Sequence, residues 1–131
     1  MPKTKIKNLK LSDYGISKHK YLELKLFCMQ YQEKKAELDA IRGLNASASD
    51  GQPRSSNISD TTADKAIKAA RLSADVNLIE ETAEQANKAI KKYLIKSVTE
   101  GIAWEYLGVP MSKFRFYDYR RYFYYLLAQK R

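Results

Sequence analysis

Apolar positions along this chain recur at intervals of three, four and seven, and no strand-type alternation persists anywhere. Leu24, Phe27, Cys28, Tyr31, Leu38 and Ile41 make one stripe, with Ser17 placed to cap a helix ahead of it and Gly43 to end it. The spacing predicts a first long helix over 17–42, with a more exposed turn at Lys34 and Lys35. Residues 43–60 are small and polar and predict a disordered linker. Asp60, Thr61 or Thr62 then caps a second helix, along which Ala66, Ala69, Ala70, Ser73, Val76 and Ala83 share a side, with Ile79 and Ala86 nearby. Asn87 interrupts it. A third helix over about 88–99 buries Ile90, Tyr93, Leu94 and Val98 and turns Lys88, Lys91, Lys92 and Lys96 to solvent. Residues 1–16, with a turn at Asp13-Tyr14-Gly15, read as a basic flexible arm. The expected fold class is all-α: a long helical hairpin-like scaffold, with a helical domain over 61–131.

Residues 101–131 are the most informative segment. A short apolar stretch at Ile102, Ala103 and Leu107 is broken by Gly108 and Pro110, and Ser112 caps a second helix crowded with arginine and aromatic side chains. Short helix, tight turn and basic helix predict a helix-turn-helix, which makes duplex DNA the first partner to consider. At about 100° per residue, Phe116, Tyr119, Phe123, Leu126 and Leu127 fall on an inner side. Phe114, Tyr117, Asp118, Arg121, Tyr124 and Tyr125 fall opposite. The N-terminal end of a recognition helix reaches base edges, which nominates Ser112, Lys113, Arg115 and Tyr117; Arg120 and Arg121 are expected on the phosphate backbone. The outward aromatics Phe114, Tyr124 and Tyr125 also suit a protein interface, such as a homodimer seam.

Charge placement supports a polyanion partner. Of a net +9, residues 1–20 carry +5 and residues 106–131 carry +5, around a neutral to acidic middle. Lys3, Lys5, Lys7 and Lys10 are placed to follow an adjacent groove. The remaining chemistry is sparse. Cys28 and His19 are the lone residues of their types, so a Cys/His zinc site is excluded, and nothing near either activates a nucleophile. No phosphate-binding glycine loop or Ser/His/Asp set is present, and Glu80 with Glu84 reads as a solvated acidic face. No enzyme activity, metal or cofactor is expected. No run approaches the roughly 18 apolar residues of a membrane span, and the start has lysines but no apolar h-region, so no secretory signal is expected. A single cysteine suits an intracellular, reducing compartment.

The runs Ile102-Ala103, Leu107-Gly108-Val109-Pro110-Met111-Ser112 and Phe116-Tyr117-Asp118-Tyr119-Arg120-Arg121 resemble the C-terminal end of phage late-gene transcriptional activators of the RinA/ArpU type. They are also similar to small phage proteins ending in a sigma-region-4-like helix-turn-helix. Met111 stands where those families carry a basic residue, and Phe116-Tyr117 lie about two positions later than their Phe-Tyr pair. The resemblance implies a phage or prophage DNA-binding regulator of late genes that acts with host RNA polymerase, and a homodimer is expected. Two alternatives stay open: a small terminase-like packaging subunit, and a protein-interaction module that binds a host protein.

Overall fold

The computed structural model describes residues 11–48 and 57–131. Among them every regular element is helical, so the all-α expectation holds. The α-helices are α1 (Lys18–Met29), α2 (Tyr31–Ala48), α3 (Asn57–Ala86), α4 (Lys91–Glu100) and α5 (Lys113–Lys130), with short 3-10 turns at Leu11–Tyr14, Lys88–Ile90 and Trp104–Tyr106. Contacts divide the chain into two units, one of residues 31–77 and the other of the segments on either side. Among the described residues, no helix is long and apolar enough to cross a membrane, and no cluster of His, Cys, Asp and Glu could hold a metal ion.

The unit of residues 31–77 is a helical hairpin. Leu38 and Ile41 of α2 pack with Leu72 of α3, and Ala69 closes against them. Two ion pairs cross the same seam, Lys34 to Asp75 at 2.9 Å and Lys68 to Glu37. Such partly exposed pairs align the helices more than they stabilise them.

In the other unit α1 lies against α4 and α5. Its core draws Leu24, Phe27 and Cys28 from α1, Ile79 and Ala83 from α3, Leu94 and Val98 from α4, and Phe116, Phe123 and Leu127 from α5. The far end of α5 is tied down twice. Lys130 Nζ donates to Thr82 Oγ1 at 3.2 Å, and Arg131 pairs with Glu23 while its guanidinium sits 3.9 Å from the centre of the Phe27 ring.

Several local expectations hold. Ser17 caps α1, its Oγ accepting from the Lys20 backbone N–H at 3.1 Å. All six residues of the first apolar stripe are buried. Asn87 does interrupt the helix, its side chain accepting from Ala89 N–H at 3.0 Å.

Others are corrected. The long helix of 17–42 is two helices, broken at Gln30, whose backbone N–H turns to Phe27 and Cys28 carbonyls in a tightened last turn. Gly43 does not end α2, which continues to Ala48; a helical glycine costs only about 1 kcal/mol, and here it keeps helical backbone. α3 starts at Asn57, so Asp60, Thr61 and Thr62 lie within its first turns, and the expected linker of 43–60 is shortened at both ends. The arm over 1–16 is shortened too, since Leu11–Tyr14 is a 3-10 turn against α5.

The expected helix-turn-helix at 101–131 is also changed. Its first helix is reduced to the single 3-10 turn Trp104–Tyr106, and residues 101–112 separate α4 from α5. A turn of three to four residues would be needed to join the two helices of that motif. Gly101 and Gly108, at φ 69° and 72°, set the path of this loop; only glycine adopts that backbone without strain. Gly101 caps α4, its N–H donating to the Ser97 carbonyl at 3.0 Å.

Candidate nucleic-acid interface

The start of α5 is fixed from both sides. Ser112 has extended backbone, and its Oγ accepts from Arg115 N–H at 3.2 Å while its carbonyl accepts from Phe116 N–H at 2.9 Å. The loop ahead is clamped onto the helix by Trp104. Its indole N–H donates to the Met111 carbonyl at 3.0 Å, and its backbone N–H donates to the Tyr117 hydroxyl at 3.3 Å. Glu105, the next residue, pairs with Lys113 at 3.2 Å. Its own backbone N–H and the Lys113 ammonium hold the Glu105 carboxyl below its usual range.

Of the DNA-facing residues expected from sequence, the structure brings Ser112, Lys113 and Arg115 together, all exposed, in the first turn of α5. Phe114 lies among them, 53% exposed, and Tyr106 of the preceding loop is 84% exposed. The helix N-terminus adds its own positive end. Arg115 sits over the Tyr119 ring at 5.9 Å, which supports the guanidinium without using its hydrogen-bond donors.

One turn on, the picture changes. Tyr117 is half-buried, with its hydroxyl engaged by Trp104. Arg120 is held between the Tyr117 and Tyr124 rings, 5.8 and 5.5 Å from their centres, and its Nε is buried. Arg121 is paired with Asp118, whose carboxylate is buried. Arg120 and Arg121 are thus both half-buried and engaged by neighbours on α5.

The outward face expected for α5 is corrected for the same reason. Asp118 and Tyr124 are each only 1% exposed, so Tyr124 belongs to the core and not to a protein interface. It meets Tyr21 edge-on at 5.1 Å, and burial pushes its hydroxyl well above the usual tyrosine range. Tyr125 is half-buried, 5.1 Å from the Tyr14 ring and stacked on Tyr122 at 6.2 Å. The physical cause is that α1, the Leu11–Tyr14 turn and the Trp104–Tyr106 turn all pack on α5. A two-faced wheel with one solvent side does not describe a helix covered by three neighbours. Of the three interface aromatics only Phe114 remains exposed.

Lys3, Lys5, Lys7 and Lys10 lie outside the described residues. Sequence reasoning passed over Trp104, Glu105 and Tyr14, which set the loop, the Lys113 geometry and the docking of the first turn. The one signal available was that Trp104 is the sole tryptophan, in a loop otherwise read as a short helix. No protein-family model, curated protein or solved structure matches this chain.

Proposed function

We propose that the chain binds nucleic acid, duplex DNA first, by presenting the N-terminal turn of α5 end-on rather than laying the helix along a groove. The observation that carries this reading is the exposure of Ser112, Lys113, Phe114 and Arg115 as one continuous turn at the positive end of the helix. Arg115 supplies donors suited to guanine O6 and N7 or to phosphate, Lys113 a mobile cation, and Phe114 an apolar contact for sugar or a thymine methyl. The four arm lysines add sequence-independent phosphate contacts. The role of late-gene regulator, dimeric and acting with host RNA polymerase in the bacterial cytoplasm, follows from the resemblance of residues 102–121.

A selection from random duplex DNA with the full chain tests this. An enriched motif is expected, and Arg115→Ala should alter that motif at one position at a cost of about 1–3 kcal/mol. Failure to enrich any duplex overturns the reading. One observation favours a second reading: Tyr106 and Phe114 are large exposed aromatics that flank the two partners of the Glu105–Lys113 ion pair, as in a protein-interaction module. In that case Phe114→Ala would abolish capture of a protein partner and leave DNA unbound by either form.

A further inference from the structure

A concave site lies between α4 and the loop that follows it. Tyr93, Ile95 and Leu107 give it apolar walls, Lys92 and Lys96 stand at its edge, and it encloses about 460 Å³. Both lysines are exposed. Among the described residues neither is joined to a carboxylate, whereas Lys91, just before Lys92, is paired with Glu84 at 3.0 Å. Lys92 instead sits over the Tyr93 ring at 5.1 Å. Among the described residues no acidic side chain lines the cleft.

We propose that this cleft docks an acidic protein segment that inserts one bulky apolar side chain between Tyr93, Ile95 and Leu107. Two features select that chemistry. Lysines one helical turn apart are complementary to carboxylates at the same spacing on a partner helix, and their charge is not already neutralised. The apolar hollow between them suits an anchor residue, and such buried anchors dominate protein interfaces. A DNA duplex offers phosphates to the lysines but nothing to fill the hollow, since its outer rails are convex and charged. The chain would then hold nucleic acid at the α5 turn and an acidic protein at the α4 cleft.

The test uses the full ¹⁵N-labelled chain and three probes. These are a short peptide of glutamate and alanine around one central phenylalanine, the same peptide with glutamine at the centre, and a short DNA duplex. The phenylalanine peptide should shift the amide signals of residues 92–96 and 107, and the glutamine peptide should bind about tenfold more weakly. Lys92→Glu with Lys96→Glu should weaken the phenylalanine peptide by more than about tenfold. Lys92→Gln with Lys96→Gln, a milder change on the same exposed surface, should give a smaller loss with unaltered helicity. Equal binding of the two peptides overturns the proposal, as does a phenylalanine peptide that leaves the cleft signals unmoved. If the duplex shifts the cleft signals and the peptide does not, the cleft belongs to the nucleic-acid surface and the proposal fails while the DNA reading stands.

Discussion

Arg121 closes an ion pair onto the buried carboxylate of Asp118, one turn back along the same helix. The pair lies where a recognition helix would carry free cations, and it engages the Arg121 guanidinium. Asp118 is almost wholly enclosed, while Arg121 keeps about a quarter of its side chain in water. Removing the arginine alone leaves a charge in the interior with no counterion. Arg121→Ala should therefore destabilise the fold by about 3 kcal/mol, the lower end of the range for broken buried pairs because solvent reaches the site. Arg121→Met combined with Asp118→Leu should recover most of that loss. Urea denaturation checks both. An Arg121→Ala chain that keeps full stability and loses only DNA affinity would restore Arg121 to the phosphate-contacting role.

Glu105 limits the cation nearest the proposed contact. Its carboxylate is held by Lys113 and by its own backbone N–H, and both groups are exposed. Glu105→Gln removes a negative charge beside the α5 turn and frees Lys113 for phosphate. Duplex affinity at low salt should rise by about twofold to tenfold, with little change in stability because exposed pairs contribute little. Fluorescence anisotropy reads the change, and a fall in affinity would show that the pair orients Lys113 productively.

Alkaline stability should report on the tyrosines around α5. Burial raises the hydroxyl pKa of Tyr14, Tyr122 and Tyr124 above the ordinary 10.0, most of all at Tyr124. The folded chain then keeps protons that the unfolded chain releases. Stability is unaffected below about pH 10 and falls as pH rises past it, by up to about 1.4 kcal/mol per pH unit from Tyr124, the most deeply buried of the three. Among the described residues the buried Tyr124 hydroxyl has no hydrogen-bond partner, so Tyr124→Phe should be neutral or stabilising by about 1 kcal/mol at pH 7. The same variant should flatten the decline above pH 10. Thermal melts across that range decide it, and an unchanged alkaline slope would place the sensitivity elsewhere.

What the sequence made legible was what is local. Ser17 and Ser112 announced their caps because capping depends on one side chain and the next few backbone N–H groups. The stripe from Leu24 to Ile41 named its buried residues correctly although the helix beneath it is broken. The break at Gln30 carries no glycine or proline, so periodicity ran straight across it. The face of α5 was misread because burial there is set by three elements distant in sequence. Tyr14 contacts Tyr125 across more than a hundred residues, and no pattern within residues 112–130 records that contact. Trp104 was hidden likewise: its two hydrogen bonds to Met111 and Tyr117 follow from the path of a loop bent at Gly101 and Gly108.

The most direct test of end-on duplex binding is the salt dependence of affinity for a selected DNA site. With Lys113 and Arg115 on α5 and the four lysines at 3, 5, 7 and 10, about six phosphates are neutralised, and log K should fall against log salt with a slope near −5. Arg121→Ala, measured where it remains folded, should leave that slope unchanged, because Arg121 is committed to Asp118. No measurable duplex binding at about 50 mM salt, or a slope near zero, would contradict the account.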